Sequence, residues 1–200
     1  VVMTHPQTDH FAGLYDVIER YRVGAFIVNG REGESETWDN FEKRLAAKDT
    51  PIILVSDGDK ISYKDNLVTV LAPNEELIQS RELNDTSLIL ELASEKTRSL
   101  FVGDAGFKVE EFLAITYGNL NIDILKVGHH GSRYSTGFNF LSRITPAISV
   151  IEVGKNNYGH PSETTIKRLN QIGSRVYRTD NDKTIKIEVK DGRAAVFTGL

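Results

Sequence analysis

An α/β fold, or a layered α+β fold, is predicted for this 200-residue chain by three observations. Short Val- and Ile-rich runs alternate with stretches of helical periodicity, a strand-rich tract covers residues 52–92, and Gly, Asn, Asp or Pro marks most junctions. No internal repeat and no linker divides the chain, so residues 1–200 are expected to form one domain.

Each element follows from local pattern. The opening VVMT reads as the end of a buried strand, and His5 follows at once. Phe11, Leu14, Val17, Ile18 and Tyr21 share one helix face, which predicts a helix there and leaves residues 4–10 as a strand-to-helix loop. GAFIVNG is a short strand, ETWDNFEKRLAAK a helix with Trp38 as a packing residue, and PIILVSDGD a strand leading into a turn. NLVTVLAP and TSLILELA are strands separated by a polar, flexible loop around Asn74 to Asn84. TRSLFVGDAG is a strand that stops at Gly103-Asp104, and KVEEFLAITYG is a helix closed by Gly118, with Glu110 and Glu111 facing solvent. IDILKVG is a strand opening into HHGSRYST, after which a short helix covers Phe138 to Ile144. The strand AISVIEVG leads to the loop KNNYGHPS, and Ser162 caps the helix ETTIKRLNQIG. RVYRTD and a final meander turning at Asp191-Gly192 complete the chain.

Composition narrows the function classes. A hydrophobic content of 40% supports a sizeable core, and 26% charged residues with no low-complexity stretch exclude a disordered chain. No apolar run is long enough to span a bilayer. The absence of cysteine removes disulfides, thiolate metal sites and cysteine nucleophiles together. Net charge is −4, but it is uneven: residues 123–178 carry +5 and the remainder −9. That basic segment is either a local attraction for a polyanion or an ordinary solvated face.

The chemistry is concentrated in the histidines. All five fall in three loops that follow strand ends: His5 and His10, His129 and His130, and His160. Asp104 sits in a fourth such loop. Ligands gather at strand ends on one rim of an α/β sheet, and a mixed imidazole and carboxylate set suits Zn, Mn or Fe. A shared aspartate suits a pair of ions, which can activate water and clamp an ester oxygen. No phosphate-binding glycine loop, dinucleotide fingerprint or serine-nucleophile elbow is present. Phe138, Phe140 and Tyr158 are candidates for stacking on bases, against the alternative of core packing or loop support.

THPQTDHFAGL, LNDTSLIL, FVGDAG, LKVGHHGS, VGKNNYGHPS and YRTDND occur in an order that resembles the metallo-β-lactamase fold domain of ComEC-type DNA-uptake (competence) proteins. The resemblance runs from Val1 to about Val189. It implies an αββα sandwich, here lacking its N-terminal strands and their Asp-Val-Gly-Gln-Gly-Asp signature. It also implies two divalent metal ions, Zn or Mn. His5, Asp9 and His10 match the first metal motif, Asp104 the bridging aspartate, and His129 the next ligand. His160 is either a ligand of the second ion or the proton donor to the leaving group, and His130 either supports a ligand or acts as general acid. Gln7 stands where the superfamily usually has a histidine, which predicts one tight ion and one loose ion.

The activity implied is a phosphodiesterase or nuclease that hydrolyses the non-imported strand of DNA by a two-metal, activated-hydroxide mechanism, with Asp9 or Asp104 orienting the nucleophile. Gly131-Ser132, Arg133, Arg143 and Lys155 would hold flanking phosphates, and Lys126 is either a phosphate contact or a structural cation. The expected partner is single-stranded DNA. In a full-length competence protein the domain would lie on the extracytoplasmic face of the cell membrane, attached through an upstream channel region; otherwise it is a soluble unit. Two alternatives are a soluble metallo-hydrolase of a small ester, lactone or phosphodiester, and a non-catalytic DNA-binding or scaffolding domain with a degraded metal site.

Overall fold

The computed structural model describes residues 1–199. Val2 bridges Ile27 in parallel, and the chain then enters the first histidine loop directly. Two short helices follow, α1 (Thr8–Phe11) and α2 (Leu14–Arg20), where a single helix was predicted. The interruption falls at Ala12-Gly13; glycine lowers helix preference by about 1 kcal/mol relative to alanine. Next come β1 (Phe26–Val28), α3 (Glu36–Ala46) and β2 (Ile52–Leu54), with β1 and β2 paired in parallel. The Ser35 hydroxyl accepts the Trp38 N–H at 3.1 Å and starts α3, a cap worth about 1 kcal/mol. The inner face of α3, Trp38, Phe41 and Leu45, packs with Met3, Phe11, Ile18 and Phe26. Phe11 anchors α1 in this cluster, and so holds the neighbouring His10 in place.

The main sheet contains β3 (Lys60–Tyr63), β4 (Asn66–Ala72), β5 (Ile89–Ser94) and β6 (Thr97–Phe101) as an antiparallel run. After α4 (Phe107–Thr116) it continues in parallel through β7 (Ile124–Lys126), α5 (Phe138–Ile144), β8 (Ile148–Ile151), α6 (Glu163–Gln171) and β9 (Arg175–Arg178). Parallel pairs need crossovers, and α4, α5 and α6 supply them on one face. Their Val109, Leu113, Phe140, Leu141, Ile144 and Leu169 form one core with Leu100, Leu125 and Ile151 of the sheet. After α7 (Thr179–Asp182), the hairpin of β10 (Ile185–Lys190) and β11 (Arg193–Thr198) turns at Asp191-Gly192 as expected. A cleft of about 490 Å³ lies between Ile185, Ile187 and Val189 of that hairpin and Leu92, Phe101, Ile124 and Val150 of the sheet.

Several details depart from the sequence reading. β3 was not predicted, because only Ile61 is partly buried and the strand is imposed by pairing with β4. The tract at 74–84 is not a loose polar loop: it holds 3-10 turns at Leu77–Gln79 and Leu83–Thr86, anchored by buried Leu77. Phe140 belongs to the core rather than to a base-stacking surface. Glu110 is buried, not solvated; its carboxylate accepts the backbone N–H groups of Thr136 and Gly137, the latter at 2.8 Å. Among the described residues, no helix is long and apolar enough to cross a membrane.

Candidate metal centre

The carboxyl ends of β6, β7 and β8 open onto the same rim as α1, and this is where the histidine loops meet. Asp9, His10, Asp104 and His130 each offer one ligand atom within 4.8 Å of the others. His10 Nε2 lies 3.2 Å from Asp104 Oδ1, and His130 Nε2 lies 3.4 Å from Asp9 Oδ2 and 3.6 Å from Asp104 Oδ2. His10 Nε2, His130 Nε2 and Asp104 Oδ1 are all buried without a hydrogen-bond partner. Buried polar atoms are ordinarily satisfied, and two carboxylates do not converge at low cost without a cation between them. The donor set therefore fits one divalent ion held by two imidazoles and two carboxylates.

Each ligand atom is aimed by its surroundings. Asp104 follows Gly103 at the end of β6 and is 1% exposed, with its backbone N–H on Ser87 Oγ at 3.2 Å. Burial acts to raise the Asp104 pKa, but His10, then Lys126 and His130, outweigh it and hold the carboxyl well below the usual range. His130 donates Nδ1–H to the Glu152 carbonyl at 2.8 Å, which leaves the Nε2 lone pair facing the centre. His129 and His130 both adopt left-handed backbone, φ 47° and 52°. Such consecutive strain persists only where surroundings enforce it. Gly131, at φ +81°, completes the turn, and a Cβ there would meet Pro161 Cβ at 2.6 Å. The 160–162 loop is thereby packed against the histidine pair.

The other expected site residues take different places. His129, expected as the next ligand, stays outside the group of four: Asn84 Nδ2 contacts its Nδ1 at 3.4 Å, and its Nε2 is 3.8 Å from Asp104 Oδ2. With the amide donating, the neutral ring turns an N–H toward Asp104 rather than a lone pair. Burial, the largest cause, lowers the His129 pKa. His160 is also outside the group; its ring centroid is 5.6 Å from that of His129 and it stacks on Tyr158 at 6.0 Å. Its Nδ1 is buried without a partner, and burial followed by the charge of His129 and His130 lowers its pKa.

His5 is fully buried, with Nε2 against Gln7 Oε1 at 3.0 Å and Nδ1 near Thr4 Oγ1 at 3.1 Å and Ser87 Oγ at 3.3 Å. Gln7, expected as a weak or lost ligand, thus closes on His5. Burial first, then His10, lowers the His5 pKa to about 4.

Among the expected phosphate contacts, Arg133 and Lys155 are exposed. Ser132 is not available: it is 2% exposed, its N–H donates to the His129 carbonyl, and its Oγ accepts the Tyr134 N–H. Lys126 donates to the Gly103 carbonyl at 3.3 Å, beside Asp104. Sequence reasoning assigned no role to Thr4, Ser87 or Asn84. Ser87 and Asn84 lie within the LNDTSLIL stretch already singled out, but their contacts cross the fold and leave no spacing signal.

Residues 1–154 match the metallo-beta-lactamase superfamily. The chain is 31% identical to "ComE operon protein 3" of Bacillus subtilis (strain 168) over 202 residues, covering 99% of this chain and 25% of that protein. It is 36% identical to "Competence protein ComA" of Neisseria gonorrhoeae over 99 residues, covering 48% of this chain and 14% of that protein. The chain therefore spans a quarter or less of the length of these curated relatives. The solved metallo-beta-lactamase fold protein YhfI of Bacillus subtilis superposes with a TM-score of 0.56 at 12% identity, over 100% of this chain and 76% of that one, a likeness of fold alone. The mixed sheet with its flanking helices is the metallo-β-lactamase fold, and the chain belongs to the metallo-beta-lactamase superfamily, with its sequence relatives among the ComEC-type competence proteins.

Proposed function

We propose that this chain is a divalent-metal-dependent phosphodiesterase that cleaves single-stranded DNA. The observation that carries the reading is the convergence of Asp9, His10, Asp104 and His130 with orphaned ligand atoms. A bound ion supplies water of lowered pKa and a Lewis acid for a phosphoryl oxygen. The chain's own groups do the rest. Asp9, with a side chain 61% exposed, reaches the solvent side of the centre and can take a proton from the attacking water. His160 stands beyond His129 with a free ring nitrogen, suited to protonate the leaving oxygen. Its lowered pKa rises when an anionic phosphate lies beside it.

The openness of the site favours a strand over a small molecule. Small ligands are buried over most of their surface in deep, largely apolar pockets, whereas Asp9 and His130 line a solvent-facing rim with side chains 61% and 29% exposed. Arg133, whose charge acts on His160, and Lys155, in the same loop as His160, are exposed cations, and Tyr158, stacked on His160, is an exposed aromatic face, 82%. Cations tracking a backbone with rings for the bases are the ingredients of single-strand binding. The similarity to competence proteins supports a role on the non-imported strand, at the extracytoplasmic face beside a membrane channel.

The test is cleavage of end-labelled single-stranded DNA with Mn²⁺ or Zn²⁺ by the chain and its Asp104→Asn variant. Changes in groups that merely orient a ligand already cost about 10–100-fold, so the variant is expected to lose at least about a hundredfold. Equal rates, or fewer than one ion per chain after reconstitution, would contradict the proposal.

A further inference from the structure

We infer that the His5–Gln7 side of this centre holds no ion and is instead a hydrogen-bond relay running from Asp104 through Ser87 and His5 to Gln7, so that one divalent ion binds per chain. The inference rests on the reading of Asp9, His10, Asp104 and His130 as a metal centre, and it concerns the number of ions and what replaces the second.

The relay can be followed atom by atom. The Asp104 backbone N–H can only donate, and it does so to Ser87 Oγ at 3.2 Å. The Ser87 proton must then point elsewhere, and its other neighbour is His5 Nδ1 at 3.3 Å. His5 Nδ1 is therefore an acceptor, its ring proton sits on Nε2, and that N–H donates to Gln7 Oε1 at 3.0 Å. Thr4 Oγ1 lies 3.1 Å from His5 Nδ1 and 3.4 Å from His10 Nδ1, so it ties the two rings together.

Two further observations exclude a second ion. His5 Nε2 carries a proton toward Gln7 and the one lone pair of His5 Nδ1 is engaged by the Ser87 hydroxyl, so His5 has no lone pair to give. Charge gives the same answer. Asp9 and Asp104 neutralise one dication, whereas the other side offers only neutral groups: His5, Gln7, Asn84 and His129. A second dication there would face the first with no further carboxylate between them. The packing preserves the relay, because a Cβ on Gly103 would come within 2.9 Å of Ser87 Cβ and 3.3 Å of Thr4 Cβ.

The experiment has two readings on the full chain. After chelation, dialysis against MnCl₂ and separately ZnCl₂, with elemental analysis, is expected to give one ion per chain. Two ions overturn the inference, and none overturns it together with the metal-centre reading. A long-range ¹H–¹⁵N spectrum of the metal-free chain is expected to show His5 protonated at Nε2; His5 protonated at Nδ1 overturns the relay without any variant. Loss of DNA cleavage with one ion bound would count against the nuclease reading alone.

Discussion

The two sides of the histidine rim use the same residue types to opposite ends. On one side His10 and His130 turn unpartnered nitrogens toward two carboxylates, and a hydrogen bond to the Glu152 carbonyl fixes the His130 ring. On the other side His5 is surrounded by Thr4, Ser87 and Gln7, so that both of its nitrogens are engaged. Neither burial nor residue identity distinguishes a ligand from a prop here; the neighbours' donors and acceptors do.

The largest expected effect falls on the carboxylate side. His10→Ala removes one of four ligands and should abolish stoichiometric Mn²⁺ uptake, with DNA cleavage falling at least about a hundredfold. Uptake of a full equivalent by that variant, measured by elemental analysis, would break the assignment.

The next effect concerns stability rather than ligation. Burial pushes the Glu110 carboxyl up to about 7, against the lowering influence of the Gly137 and Thr136 N–H groups and of Arg168. Between an unfolded value of 4.5 and that folded value the native state retains a proton, so stability falls as pH rises, by up to about 1.4 kcal/mol per unit. His5 acts with the opposite sign. Lowered from 6.5 to about 4, chiefly by burial, it favours the native state as pH rises through that window. Glu110→Gln removes only the falling slope and should leave a protein whose urea midpoint drops more steeply on acidification from pH 6.5 to 4.5 than that of the parent. Parallel profiles would contradict this.

Gln7→His addresses the contrast directly. It replaces the acceptor for His5 Nε2–H with a second imidazole, and calorimetry should then show a weaker second Zn²⁺ event absent from the parent. A single unchanged event would mean that the missing carboxylate, rather than Gln7, excludes the second ion. The smallest effect is expected at Tyr158, 82% exposed and stacked on His160. Tyr158→Ala should weaken single-strand binding about fivefold, the low end of a stacking contact, with metal affinity unchanged in the same preparation.

Much of this was legible in sequence, and the failures share a cause. Asp9, His10 and Asp104 were readable because their loops follow strands whose apolar runs are unmistakable, and the cap at Ser162 was readable because capping is local. His129 and His130 are adjacent, and choosing between them as ligand needs the left-handed turn at φ 47° and 52° and the Glu152 carbonyl, neither visible in HHGS. Ser132 looked like a phosphate contact until its N–H proved to close the same turn. Glu110 looked solvated because Glu111 beside it is, yet its carboxylate reaches the loop at Thr136 and Gly137. β3 carries little hydrophobic signal because its partner strand imposes it. Local chemistry was legible; contacts made across the fold were not.

The most direct measurement is an anomalous difference map at the manganese edge from crystals grown with MnCl₂. One peak per chain is expected among His10 Nε2, His130 Nε2, Asp9 and Asp104, with none beside His5 and Gln7. A peak ligated by His5, or no peak at the group of four, would contradict the account.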